Sequence, residues 1–196
     1  MDYYRGYPYG YSSFSSSMDH DYHILQNLSG SLAHRFAASS WKTYAGVSLD
    51  RVLYDHDGRS SPSPHGHRLP NMRVDGKFMA TCPKSEGSTN VHAELLILDW
   101  LHNLVDNSKW PPADGQLHTL HLFTFLSPCS GCIWWLGSFL HFLRENRLMP
   151  RIRIVLGYSK WYTPPGGLNI PGPFLTIPWL YELQHYFPNF KVMKIS

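Results

Sequence analysis

The chain has 196 residues and a mass of 22.6 kDa, which suits one domain with a sizeable core. With 43% hydrophobic and 16% charged residues, the composition excludes wholesale disorder, collagen-like repeats and coiled coils, and no apolar run reaches the roughly 18–20 residues of a membrane helix. The net charge of +3 allows a polyanionic partner without requiring one.

The first half of the chain predicts a tail, a helix and a hairpin. Residues 1–19 are rich in Tyr and Ser and lack Leu, Ile and Val, so we expect a disordered tail before a single domain over 20–196. Apolar side chains at helical spacing predict a helix over 22–38. Residues 41–55 predict a strand, and a second strand near 76–82 would complete a hairpin across a loop rich in Ser, Pro and Gly.

The second half alternates helices and strands. Residues 91–105 are apolar nearly all round, which is typical of a helix buried on more than one side. The alternation favours an α/β fold with parallel pairs among the later strands, joined by right-handed helical crossovers. The remaining elements are strands over 117–126, 151–157 and 190–195, helices over 129–146 and 177–187, and a Pro/Gly-rich loop over 158–175.

Two short motifs carry metal-binding residues, each at the start of a predicted helix. Cys129 and Cys132 are three residues apart, so both thiols project from one face of the first turn, and the positive helix end favours their thiolate form. His92 supplies an imidazole from the other helix. One nitrogen and two sulfur ligands suit tetrahedral Zn²⁺ with the fourth corner open for water, which is typical of a catalytic site.

The residues next to these ligands are expected to transfer protons and to start the second helix. Glu94 lies two residues after the histidine and is placed to carry protons to and from a zinc-activated water. Hydroxide attack on an amidine-like ring carbon, followed by loss of ammonia, is hydrolytic deamination. Ser127 is the expected N-cap of the second helix, and Pro128 its first helical residue.

Together these motifs form the H-x-E…P-C-x-x-C signature, and residues 22–196 resemble the zinc-dependent nucleobase deaminases. Ser127-Pro128-Cys129 is similar to the Ser-Pro-Cys of the AID/APOBEC polynucleotide cytosine deaminases. The resemblance implies a cytidine deaminase-like three-layer sandwich, with a mixed five-stranded sheet flanked by helices, and a Zn²⁺ cofactor. It implies conversion of cytosine to uracil in single-stranded DNA or RNA.

The resemblance also implies pocket residues. The backbone amide of Ala93 would hold the pyrimidine carbonyl, Ser127 would line the pocket, and Trp161 and Tyr162 would lie in the loop that contacts the flanking 5′ base. Leu126 stands where that family has a tryptophan, so it can pack on a base without stacking.

Two further features depart from the AID/APOBEC pattern. Residues 106–116 look like an insertion, and the family generally adds a helix after the last strand predicted here. The chain therefore resembles a divergent AID/APOBEC-like member, or a related branch such as the secreted or toxin-type deaminases that also use Ser-Pro-Cys.

Basic and histidine side chains are further candidates. Lys160 would approach phosphate from the later loop, whereas Arg151 and Arg153 share a strand face that is either a contact surface or a covered side. His118 and His121 should point to opposite faces of their strand, which argues against a shared metal. A second metal site at His56, His65 and His67 is less expected than solvated histidines or histidines at the rim of the substrate site. Cys82 should be a buried strand residue. The remaining phosphate candidates are Arg51, Arg59, Arg68, Arg73, Lys77 and Lys84.

Two other functions stay open at this stage. The modest charge also permits a deaminase of free cytidine or a nucleotide, and the zinc domain could instead bind nucleic acid or a protein partner without catalysis. Three cysteines and the absence of an apolar secretory segment in residues 1–5 favour a reducing compartment, the cytoplasm or the nucleus. Secretion of a processed form and the oligomeric state stay open.

Overall fold

A computed structural model describes residues 12–36, 44–50, 52–54, 78–81, 92–162 and 172–196. A short 3-10 turn over Met149–Arg151 leads into the fifth strand. The helices are α1 (Ser12–Phe36), α2 (Ala93–Asp106), α3 (Ser130–Glu145) and α4 (Gly172–Tyr186), and the strands are β1 (Tyr44–Leu49), β2 (Val52–Tyr54), β3 (Phe78–Thr81), β4 (His118–Leu126), β5 (Ile152–Lys160) and β6 (Phe190–Lys194).

The described strands form one mixed sheet in the order β2-β1-β4-β5-β6, with β3 also paired to β1. Strand β1 runs antiparallel to β2, β3 and β4, whereas β4, β5 and β6 are parallel to one another. The expected α/β fold with parallel later strands is therefore confirmed, as is the hairpin that pairs β1 with a strand near 76–82.

Helices cover both faces of this sheet. Helix α1 buries Leu25, Leu28 and Leu32 against Phe123 and Val155 of the central strands. Helices α2, α3 and α4 build the larger core on the opposite face, where alternate residues of β4 and β5 point. The helices thus flank the sheet as the sequence predicted, and α2 is buried by β1, β3 and α3.

The strand count differs from the expected five, because the described residues form six strands. The single strand predicted over 41–55 breaks at Asp50, whose φ of 48° lies in the left-handed region. Aspartate tolerates this conformation better than most residues, so the chain reverses there. Strand β2 folds back on β1, with Leu49 opposite Val52.

Helix α1 begins at Ser12, well before the predicted start at residue 22. Residues 12–19, which the sequence assigned to a disordered tail, are therefore helical, and the side chains at 17–20 are exposed. Helical periodicity could not reveal this segment, because it has no aliphatic side chains to bury. Residues 1–11 lie outside the described residues, and the single domain over 20–196 stays a prediction.

Two other boundaries shift by a few residues. Strand β5 continues to Lys160 instead of ending at 157, and α4 begins at Gly172 instead of 177.

Within the described part of the chain, no helix combines the length and apolar character needed to cross a bilayer.

Candidate metal centre

The two motifs lie at the starts of α2 and α3, as predicted. His92 is the N-cap residue of α2 and Cys129 that of α3, and both have extended backbone, with ψ of 147° and 171°. Neither side chain caps its own helix. The imidazole and the thiol are therefore available to each other and to Cys132, the third residue of α3.

The three candidate ligand atoms form a compact triangle. His92 Nδ1 lies 3.4 Å from Cys129 Sγ and 3.2 Å from Cys132 Sγ, and the two sulfurs are 3.5 Å apart. Tetrahedral zinc with ordinary bond lengths would separate such atoms by about 3.6–3.8 Å. The donor set and its spacing therefore fit zinc after small outward shifts, and the three ligands among the described residues occupy three corners of the tetrahedron.

The thiols of this triangle differ sharply in acidity. A hydrogen bond from Cys132, aided by one from His92, lowers the pKa of Cys129 to about 4. The same bond to Cys129, together with burial, raises the pKa of Cys132. The hydrogen bond with Cys129 also raises the pKa of His92. The pair thus holds one thiolate ready for a metal and one proton that a metal must displace.

Glu94 lies in the first turn of α2, beside the ligands. Burial raises the pKa of its carboxyl group, and a hydrogen bond from its own backbone amide partly opposes this rise. A carboxyl group with a raised pKa is suited to accept and return a proton near neutral pH. The neighbouring Ala93 is the first residue of α2 and is buried, with 2% of its surface exposed.

Ser127 and Tyr162 meet next to the metal ligands. The prediction of Ser127 as N-cap of α3 is wrong, because α3 begins at Ser130 and Cys129 takes that position. The buried Ser127 instead accepts a hydrogen bond from the Tyr162 amide at 2.9 Å, and its own amide donates to the Lys160 carbonyl oxygen at 2.7 Å. These bonds continue the pairing of β4 and β5 beyond the strand ends.

Trp161 lies at the same edge of the sheet and is 37% exposed. Its ring is 5.1 Å from that of Tyr158, and the Lys194 amine lies 5.0 Å from its centroid. Sequence reasoning missed Lys194, which the parallel register places opposite Tyr158. Lys194 lies there because β6 pairs with β5, and the sequence pattern alone did not predict that strand order. Leu126, paired with Lys160, is partly exposed here.

Several other candidates have a structural partner instead of a free side chain. Arg153 binds Asp21 of α1, and Arg151 donates to the carbonyl oxygen of Pro112. His118 and His121 do point to opposite faces, because they have different carboxylate partners. The predictions for Arg51, His56, Arg59, His65, His67, Arg68, Arg73, Lys77, Cys82 and Lys84 lie outside the described residues.

Within the described residues, His92, Cys129 and Cys132 are the one group of three or more side chains that could hold a metal ion. No protein-family model matches this chain, and no curated protein matches it.

Proposed function

We propose that the protein is a zinc-dependent deaminase that converts cytosine to uracil in single-stranded DNA or RNA. The observation that carries the proposal is the triangle of His92 Nδ1, Cys129 Sγ and Cys132 Sγ with the Glu94 carboxyl group beside it. A structural zinc site has four protein ligands, whereas the residues that the structure describes offer three here. The element order and the mixed sheet are compatible with a cytidine deaminase-like fold.

The chain's own residues have distinct tasks in this proposal. His92, Cys129 and Cys132 hold the metal, which when bound supplies a Lewis acid that makes water acidic enough to attack at neutral pH. Glu94 takes a proton from the attacking water and delivers it to the ring nitrogen of the base. A second proton transfer to the exocyclic amine releases ammonia and leaves the carbonyl group of uracil.

Side chains at the carboxyl edge of β4, β5 and β6 support a polynucleotide substrate. Trp161 presents a partly exposed ring, and the amines of Lys160 and Lys194 lie over the aromatic rings of Phe125 and Trp161. Exposed rings stack on bases, and amines neutralise phosphates. In this proposal, Ala93, Ser127 and Leu126 line the base pocket, while Trp161 and Tyr162 contact a neighbouring nucleotide.

The first prediction concerns Glu94→Gln. This change keeps the size of the side chain but removes the proton carrier, so we expect kcat on single-stranded oligonucleotides to fall about 10²–10⁴-fold. The zinc content should stay near that of the unchanged protein, since Glu94 is not one of the ligands. Sequencing of reacted oligonucleotides measures cytosine-to-uracil conversion, and elemental analysis measures zinc. Glu145→Gln, at the far end of α3, is the matched control and should keep full activity.

The outcomes separate the competing functions. Full activity of Glu94→Gln would contradict the proposed proton route. Turnover of free cytidine at least as efficient as that of oligonucleotides would replace the polynucleotide substrate with a nucleoside. A zinc-loaded protein that binds oligonucleotides and deaminates none of these substrates would instead support a non-catalytic role, and a protein without zinc would overturn the proposal.

A further inference from the structure

His118 joins two turns of the chain at the amino end of β4, the end away from the metal centre. Its Nδ1 lies 2.8 Å from Oδ2 of Asp50, in the turn between β1 and β2, and its Nε2 lies 2.9 Å from Oδ1 of Asp114, in the loop between α2 and β4. The histidine is 7% exposed. We call these three residues the His118 clasp.

The geometry fixes the protonation state of the imidazole in this arrangement. Carboxylate oxygens accept hydrogen bonds and cannot donate them, so each short contact requires an N–H on the ring. Both ring nitrogens carry a proton only in the imidazolium cation. A neutral His118 can therefore keep one of the two bonds and must lose the other.

The two arms of the clasp are not equally supported. Asp50 also accepts hydrogen bonds from Trp110 Nε1 at 3.2 Å and from the Thr119 amide at 2.9 Å. Asp114 accepts one further bond, from the Gln116 amide at 2.9 Å. The neutral ring should therefore keep its Nδ1 proton on Asp50 and release Asp114.

We propose that the His118 clasp is a pH-operated device, which holds the loop between α2 and β4 against the sheet when His118 is cationic and releases it at Asp114 when His118 is neutral. The inference is independent of the metal centre and of the proposed deaminase activity. It also gives a role to the segment 106–116, which the sequence singled out as an insertion.

The charged groups around the clasp agree with the proposed direction of the switch, in which the cationic imidazole keeps the clasp closed. Burial lowers the pKa of His118, but the hydrogen bonds to Asp114 and Asp50 outweigh it, so the pKa lies above its ordinary value. Arg151, 4.0 Å from Asp114, is the other charged group that the described residues place there, and it opposes the imidazolium from farther away. The clasp is thus closed below a pH of about 6.5 and opens as pH rises through the folded-state pKa.

Nuclear magnetic resonance of the ¹⁵N-labelled full chain between pH 5.5 and 8.5 tests the proposal. The imidazole ¹⁵N shifts of His118 report its charge, and the Gln116 and Thr119 amides report the two arms separately. We expect both ring nitrogens to be protonated at pH 6. On titration the Gln116 amide resonance should shift at the His118 midpoint, because its acceptor Asp114 loses the imidazolium, while the Thr119 amide keeps its protection from hydrogen exchange.

Two variants provide the controls. Asp114→Asn removes one carboxylate from an exposed loop position, so the titration midpoint of His118 should move to a pH lower by about 0.5 or more. In His118→Gln the pH-dependent step at Gln116 should disappear. If that variant does not fold, Asp114→Asn carries the test. A neutral His118 at pH 6, an unchanged midpoint in Asp114→Asn, or a Gln116 amide resonance that does not respond to the titration would each overturn the proposal.

Discussion

At the scale of single residues, the two thiols of the metal centre act as one unit that holds a single proton. The Cys129 thiol has a pKa of about 4, because Cys132 donates a hydrogen bond to its sulfur. The pKa of Cys132 is raised by the same bond and by burial. In the metal-free protein at neutral pH, one sulfur is therefore a thiolate and the other a thiol.

Zinc binding should consequently release protons. At pH 7.5 we expect Cys132 to contribute about one proton and Cys129 none, with a further fraction from His92, whose pKa is raised. Zinc affinity should therefore weaken as pH falls. Calorimetric titration in buffers of different ionisation enthalpy counts the protons. Zinc binding that releases none would contradict this description of the thiol pair.

At the scale of elements, α1 packs unusually close to the sheet where the strands carry glycine. A methyl group added at Gly157 would lie 2.8 Å from Leu25 Cδ1 and 3.1 Å from Ile195 Cγ1. At Gly46 it would lie 2.9 Å from Leu32 Cδ1. The glycines at these two positions therefore leave the space that the leucine side chains of α1 occupy against the sheet.

Two glycine-to-alanine substitutions should consequently change the free energy of unfolding in opposite directions. Gly157→Ala should lower the free energy of unfolding by about 1–2 kcal/mol, because the added methyl overpacks the contact with α1. Gly30→Ala should raise it by about 0.5–1 kcal/mol, since this exposed helix position has nothing within 4 Å of the new methyl group. Urea denaturation followed by circular dichroism measures both. A stabilising Gly157→Ala would disprove the close packing of α1.

A buried ionic group also anchors α1 to the sheet. Asp21 is 1% exposed, and its carboxylate accepts hydrogen bonds from His121 at 2.9 Å and from Arg153 at 2.8 Å. Burial by itself would raise the pKa of Asp21, but the bonds from His121 and Arg153 outweigh it and leave the pKa below its ordinary value. The anchor therefore stabilises the fold when Asp21 is ionised.

Removing this charge should loosen the helix. Asp21→Asn should cost about 2–3 kcal/mol of unfolding free energy at pH 7, because it turns an amide donor toward groups that also donate. The contribution is present above the unfolded-state pKa of about 3.9 and is lost as pH falls through the lower folded-state pKa. Urea denaturation at pH values from 7 down to 3 should show the difference from the unchanged chain shrinking.

Asp19→Asn, on the exposed side of the same helix, is the matched control and should stay within about 0.5 kcal/mol of the unchanged chain. If Asp21→Asn changed the free energy of unfolding at pH 7 as little as Asp19→Asn, the buried Asp21 group would contribute no stability.

At the scale of the whole molecule, the sequence predicted those features that depend on local residue patterns and on the chemistry of the side chains. The order of elements and the meeting of His92, Cys129 and Cys132 followed from periodicity and ligand spacing. The break at Asp50 did not, because a left-handed residue inside an apolar run has no periodic signal. The start of α1 was missed because residues 12–19 contain no Leu, Ile or Val whose spacing could indicate a helix.

Contacts between residues that are far apart in the sequence could not be predicted either. Asp50 and Asp114 reach His118 from separate turns, and Asp21 reaches Arg153 across 132 positions of sequence. Only the order and register of the strands bring these residues together. Arg151 and Arg153, which the sequence offered as candidates for a nucleic-acid surface, thereby have partners within the fold.

The position of the candidate metal ligands along the chain has a consequence for biosynthesis. His92, Cys129 and Cys132 all precede β5 and β6, which form the parallel half of the sheet, and Arg153, which anchors α1. Because translation proceeds from the amino terminus, the ribosome completes the ligand set before it makes those partners. A metal ion captured at that moment would hold α2 and α3 together in the nascent chain. Metal supply during translation can then influence the yield of folded protein.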